Sequence, residues 1–251
     1  MRLRDKICLV TGAASGIGRA TARHFAAEGA SVVLADARRA AADAAAALRA
    51  SGLAAEDATV DVADEASVAA LFAGVLQSHG RLDVLVNCAG IELTRTATET
   101  SLAEWRRVID VNLTGTFLCC REALRRLGPL GGCTIVNVAS ELALVGASEM
   151  AAYCASKGGV LQLTRALAVD HTRDGFRINC VCPGPVDTPL LESSIAASKD
   201  PRRERREIVA DTLVGRVGRP DEIAAAILFL SCDESSYVVG GSLVVDGGTT
   251  T

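Results

Sequence analysis

The sequence predicts a single α/β domain, a doubly wound parallel sheet with helices on both faces. Three observations carry that expectation. Strand-like and helix-like stretches alternate from end to end of the 251 residues. Several strand-like runs are apolar throughout rather than at every second position, as in strands covered on both faces. A glycine-rich turn, "TGAASGIG" (11–18), joins the first strand to the first helix.

The elements follow in order. "KICLVTG" (6–12) reads as a buried strand and "GIGRATARHFAAEG" (16–29) as a helix closed by glycine. "SVVLAD" (31–36) is a second strand, and the alanine-rich 37–52 has high helix propensity. "ATVDV" (58–62) reads as a short strand, and 64–80 as a helix with Asp64 as its N-cap. "RLDVLVNCAG" (81–90) is a strong strand, followed by a loop and one helical stretch from Ser101 to about Leu127. "CTIVNVAS" (133–140), "RINCVCPG" (177–184) and "SLVVDGG" (242–248) complete the strands. Helices are expected over 150–173 and 220–232, with a polar, helix-prone segment at 189–213 whose Pro201 marks a hinge or a helix start. No repeat, linker or second boundary interrupts this order, so 1–251 reads as one domain.

Composition excludes several classes. Hydrophobic residues make up 49% of the chain, enough to fill a core, and the net charge is −4 from 26 basic and 30 acidic residues. That balance argues against nucleic acid or an anionic membrane as partner. The longest apolar run, 223–232, is shorter than the ~20 residues a membrane span needs. The first strand begins by Ile7, which leaves no room for a signal peptide. Nine cysteines show none of the paired spacing of zinc sites and read as free, mostly buried thiols suited to a reducing cytoplasm. No metal site is expected, and His24, His79 and His171 read as surface or helix residues.

Two patterns point to chemistry. In the glycine loop, Gly12, Gly16 and Gly18 let the backbone approach a phosphate at a helix N-terminus. The loop lacks the Gly-Lys-Ser/Thr ending of a Walker motif. Asp36 ends the second strand, where an acidic side chain meets adenosine ribose hydroxyls in dinucleotide-binding folds. A carboxylate there repels a 2′-phosphate and favours NAD over NADP, although Arg38 and Arg39 lie close by. The second pattern is Tyr153 and Lys157. The chain holds only two tyrosines and three lysines, yet this pair stands one helical turn apart.

Together "TGAASGIG" (11–18), "NCAG" (87–90), Asn112, Ser140, "YCASK" (153–157), "PGPVDT" (183–188) and "VDGG" (245–248) resemble the short-chain dehydrogenase/reductase family over nearly the whole chain. Cys88 is a small departure, standing where the family usually has Ala or Asn. The resemblance implies a Rossmann-like sheet of about seven parallel strands, and usually a homotetramer. It implies that Gly12, Ser15, Gly16, Ile17 and Gly18 cradle the cofactor pyrophosphate, that Asp36 takes the ribose, and that Asp61 and Val62 meet the adenine. Asn87, Ala89 and Gly90 would line the cleft, and Pro183, Val186 and Thr188 would stand at the nicotinamide.

The implied catalytic set is Asn112, Ser140, Tyr153 and Lys157, with Tyr153 and Lys157 also contacting the cofactor. Free tyrosine, with a pKa of about 10, is a poor base at neutral pH. An ammonium at Lys157, with the nicotinamide cation, is expected to favour the phenolate. Ser140 would orient the substrate oxygen, and Asn112 would hold a relay water.

The expected partner is a small alcohol or ketone: a cyclic or aliphatic alcohol, a polyol or a sugar. Glu92 and Glu141 would bind hydroxyls or face solvent, and 189–215 would form a lid over the substrate. The alternatives are an NADPH-dependent 3-oxoacyl thioester reductase, which Asp36 opposes, and a non-catalytic dinucleotide-binding regulator.

Overall fold

The computed structural model describes residues 1–128 and 131–251. Seven strands form one sheet: β1 (Ile7–Thr11), β2 (Ser31–Asp36), β3 (Ala55–Thr59), β4 (Val84–Asn87), β5 (Thr134–Val138), β6 (Arg177–Pro183) and β7 (Ser242–Val245). All pairings are parallel, in the order β3-β2-β1-β4-β5-β6-β7. The side-chain period of two explains why these strands read as unbroken apolar runs. In β1, Cys8 and Val10 join one core with α1 (Gly16–Ala27), α2 (Ala40–Ala50) and α9 (Pro220–Ser231). Leu9 points the other way, into a core with α3 (Glu65–His79) and α5 (Gly115–Leu127). β6 repeats this, with Val181 in the first core and Ile178 in the second. Cys180 and Cys182 pack on Val160 and Leu161 of α6 (Ala151–His171).

The described elements depart from the sequence expectation in two places. β3 begins three residues earlier than expected and pairs Ala55–Thr59 with Val32–Asp36. As an edge strand it exposes Glu56, Asp57 and Thr59, while the valines that drew the expected strand, Val60 and Val62, are buried in the turn beyond it. The helical stretch after Ser101 is not uniform. It runs as α4 (Leu102–Ile109), a π-helical turn (Asp110–Thr114) and α5.

Other signals act as read. Asp64 accepts the Ala66 N–H, and Gly80 closes α3 at φ +69°. Pro201 is a helix start: Asp200 caps α8 (Pro201–Ala210) through the Arg203 N–H. Before it lies α7 (Pro189–Ala197), capped by Thr188. The arginines of α8 are exposed, with Arg203 paired to Glu207 and Arg205 to Glu192 of α7.

All nine cysteines are free thiols, seven of them buried. The three histidines lie on α1, α3 and α6, each beside a carboxylate: Asp221, Glu56 and Asp174. Among the described residues, no helix is long and apolar enough to cross a membrane.

Candidate active site

Chain order reverses between β1 and β4, and in a parallel sheet that switch point opens a crevice at the carboxyl ends of the strands. The glycine turn sits there. Gly12 has φ +67°, and a Cβ on it would stand 2.7 Å from the Ala89 backbone. A Cβ on Gly18 would lie 2.4 Å from the Gly12 carbonyl oxygen. The loop therefore closes on its own backbone and on the end of β4. Thr11 locks it: its hydroxyl accepts from the Cys88 and Ala89 N–H groups at 3.1 and 3.3 Å. Ser15 is the N-cap of α1 but makes no capping bond, and the first turn holds no acidic residue. Its N–H groups are thus available to an anion. Thr188 stands across the crevice, its methyl 3.1 Å from where a Cβ on Gly16 would be. This cradle fits the pyrophosphate of a dinucleotide.

The end of β2 is more tightly wired than the sequence suggests. Asp36 is buried, and its carboxylate accepts from the Ala14 N–H at 3.0 Å and from the Arg38 N–H and Nε at 2.9 and 3.1 Å. Arg38 also donates to the Ser15 hydroxyl at 2.9 Å. Burial raises the Asp36 pKa, but the Arg38 and Ala14 donors outweigh it and the net shift is down. Asp61 and Val62 lie at the same edge. Asp61 caps its own turn through the Ala63 N–H, and Val62 is buried against Gly115.

Asn87 belongs to a brace beneath the crevice. It donates to Asn137 at 2.8 Å, and Asn137 donates to Thr164 at 2.9 Å, tying β4 to β5 and α6. Pro183 ends β6. Val186 is buried and bridges to Gly218.

The four candidate catalytic residues converge on the β4–β5 side. Ser140 follows β5 in extended backbone, and its hydroxyl accepts the Leu142 N–H at 3.2 Å. Tyr153 is the third residue of α6, and Lys157 lies one turn on, its Nζ 5.6 Å from the ring centre. Both are buried, and Lys157 donates to the Val138 carbonyl at 2.9 Å. Gly90 lines the same pocket, the position of a Cβ on it lying in ordinary contact, 3.5 Å, with Nζ.

Asn112 lies in the π-helical turn, fully buried. Its side chain accepts the Ile91 N–H at 2.8 Å and donates to the Ile91 carbonyl at 2.9 Å and the Ser156 hydroxyl at 3.0 Å. Three of the four hydrogen bonds this amide can make thus position both the loop after β4 and α6. Ser156, which the sequence did not single out, links it to α6 by donating to the Tyr153 carbonyl at 2.8 Å.

The electrostatics of the side chains alone differ from the expectation. Burial raises the Tyr153 pKa well above its ordinary value, and Glu92 adds to the rise. The Ser140 hydroxyl opposes it, and Glu141 and Cys88 add smaller upward contributions. Burial also brings Lys157 down to about 8. A dry pocket disfavours both charges, so Lys157 by itself does not produce a phenolate.

A family model described as "Enoyl-(Acyl carrier protein) reductase" matches residues 12–250. Over 247 residues the chain is 46% identical to a cis-4-hydroxycyclohexanecarboxylate dehydrogenase of Sinomonas cyclohexanicum, covering 98% of this chain and 97% of that protein. The chain is a short-chain dehydrogenase/reductase. This dehydrogenase is also 42% identical to a meso-2,3-butanediol dehydrogenase of Serratia marcescens, over all of this chain and 96% of that one. Its fold matches the crystal structure of levodione reductase with a TM-score of 0.94 at 37% identity, covering 99% of both chains. It belongs with the enzymes of this family that act on CH–OH groups with a nicotinamide cofactor.

Glu141 of the dehydrogenase is 8% exposed, and its Oε2 has no hydrogen-bond partner. That oxygen lies 2.7 Å from where a Cβ on Gly184 would stand, against the Asp246 backbone. Burial pushes its pKa up to about 7, with the Asp246 carboxylate adding to the rise. Between its ordinary 4.5 and about 7, the fold holds a proton that the unfolded chain has released. Stability therefore falls as pH rises through that window and is level above it. Glu141→Gln keeps the neutral form at all pH values. It is expected to stabilise the protein by about 1–2 kcal/mol at pH ~8 and to have little effect near pH ~4.5. Thermal melts of both proteins across that range check it. An equal pH slope in the two would show that Glu141 is ionised in the fold.

Proposed function

We propose that this enzyme interconverts a secondary alcohol and its ketone with NAD(H), using Tyr153 as general base and acid. The observation that carries the reading is the convergence of Ser140, Tyr153 and Lys157 beside the glycine cradle at the switch point. In the oxidative direction Ser140 orients the substrate hydroxyl and Tyr153 Oη takes its proton. The bound nicotinamide would accept the hydride and lend a positive charge beside the phenol, the charge that the buried pocket lacks. Lys157, held on the Val138 carbonyl, adds its ammonium and an N–H for a ribose hydroxyl. Asn112 fixes the floor of the cleft through Ile91. Helices α7 and α8, within 189–215, act as the lid over the substrate.

NAD rather than NADP is the cofactor on this reading, because Asp36, kept ionised by the Arg38 and Ala14 donors, would meet the adenosine ribose. Asp36→Ala removes that charge and releases Arg38 from its ion pair, leaving a guanidinium free to meet a 2′-phosphate. The kcat/KM preference for NAD⁺ over NADP⁺ is expected to fall at least about tenfold, the effect of one charge-assisted contact. Turnover of secondary alcohols with each cofactor tests both parts. Equal use of the two cofactors by the native enzyme would overturn the ribose argument. No turnover of any secondary alcohol or ketone would overturn the activity.

The cytoplasm suits nine unpaired thiols. A homotetramer suits the exposed large apolar side chains, among them Trp105, Phe117, Val169, Leu213, Tyr237 and Val244. Light scattering on the eluting protein gives the number of chains.

A further inference from the structure

The loop after β4 is pinned on both sides of one carboxylate. Asn112 clamps the Ile91 backbone with two hydrogen bonds, at 2.8 and 2.9 Å. Three residues on, the Thr94 hydroxyl lies 3.2 Å from the Ser194 hydroxyl of α7. The Arg95 N–H donates to the Glu149 carbonyl at 2.6 Å, just before α6. Only Glu92 and Leu93 lie between the first two anchors, so Glu92 is held at the junction of the cleft floor, the catalytic helix and α7. Its carboxylate lies beside the Ser194 and Thr94 hydroxyls, and its charge acts on both Tyr153 and Lys157. The other titratable groups acting on Tyr153 are Glu141, from the turn after Ser140, and Cys88, from the end of β4.

Among the described residues, no cation comes within ion-pair distance of Glu92. The carboxylate is half-buried, and burial raises its pKa against the opposing pull of the two hydroxyls and Lys157. A carboxylate accepts hydrogen bonds and donates none, and it has acceptor positions beyond those the two hydroxyls fill. It therefore welcomes a ligand that brings O–H groups and repels one that brings carbonyl or carboxylate oxygens.

We propose that Glu92 selects substrates carrying a second hydroxyl near the carbon that is oxidised, so that this enzyme prefers uncharged vicinal diols and polyols. The inference rests on the dehydrogenase reading above. The reacting hydroxyl meets Ser140 and Tyr153, and the second donates to Glu92 across the same cleft. A 3-oxoacyl thioester offers acceptors at this point and is disfavoured.

The test is the kcat/KM for NAD⁺-linked oxidation of cyclohexanol, cis-1,2-cyclohexanediol and cis-4-hydroxycyclohexanecarboxylate by the native enzyme, Glu92→Gln and Glu92→Leu. The native enzyme should favour the diol over both other alcohols. The diol-to-cyclohexanol ratio should fall roughly tenfold to a hundredfold in the Leu variant, the worth of a hydrogen bond to a charged group. Glu92→Gln is nearly isosteric and gives a second readout. Removing a negative charge beside Tyr153 favours the phenolate, so the ascending limb of its pH profile on cyclohexanol should move to lower pH. An unaltered ratio in the Leu variant, or an unmoved limb in the Gln variant, would overturn the proposal while leaving the dehydrogenase reading intact. Failure of the native enzyme to oxidise any of the three would overturn both.

Discussion

Tyr153→Phe is expected to lower kcat at least a hundredfold while leaving NADH affinity within about twofold, since general acid–base catalysis is typically worth 10²–10⁴-fold. The change removes one oxygen and keeps the ring. That ring is buried at the start of α6, and Phe fills the same volume. The cradle is built elsewhere, from Gly12, Gly18, Thr11 and the end of β4, so binding and chemistry separate cleanly in this variant. The phenol is neutral in the folded and the unfolded chain at neutral pH, so its raised pKa contributes no stability there. Steady-state kinetics and NADH fluorescence titration measure the two quantities. More than about a tenth of native kcat in the Phe variant would place the proton transfer on another group.

Gly18→Ala is expected to have the second-largest effect, on binding. A Cβ at this position would stand 2.4 Å from the Gly12 carbonyl oxygen and 2.8 Å from its carbon. Both are backbone atoms, and Gly12 is itself pressed against Ala89, so neither partner can swing aside. The turn has to open, carrying the first turn of α1 away from the end of β4. Overpacking of this kind costs typically 1–3 kcal/mol. NADH affinity should therefore fall roughly tenfold to a hundredfold, with a lower melting temperature. Gly74→Ala is the contrast. It lies within α3, where an added Cβ meets nothing within 4 Å, and helix propensity predicts a gain of up to about 1 kcal/mol. If the two variants bound NADH alike, the glycine turn would not be the pyrophosphate cradle.

Much of the fold is legible in the sequence, for identifiable reasons. β2 runs from Ser31 to Asp36 as read, because an internal strand must be apolar on both faces and carries a strong signal. β3 was misplaced because an edge strand needs little apolar surface, and the louder valines beside it belong to a turn. The π-helical turn was invisible because apolar spacing does not register one wider turn inside a helix, though it is where Asn112 is held. The candidate catalytic residues are legible by motif, but their charges are not. Burial, which decides the Tyr153 and Lys157 shifts, belongs to the packed chain rather than to local spacing. Glu92 and Glu141 looked equivalent in sequence. Packing sends one to the cleft beside Ser194 and the other beneath Gly184.

The strand order also fixes how the sheet can be built during synthesis. β2 adds to β1, and β3 adds to the outer edge of β2. β4 takes the edge of β1 left bare, and β5, β6 and β7 each take the edge exposed by the strand made just before. No strand has to push between two already paired, so each one leaving the ribosome finds an open edge waiting. The glycine turn and Asp36, between Thr11 and the end of β2, can form within the first sixty or so residues, while the far side of the crevice waits for Tyr153 and Thr188. A nascent chain would thus complete one wall of the crevice long before the other.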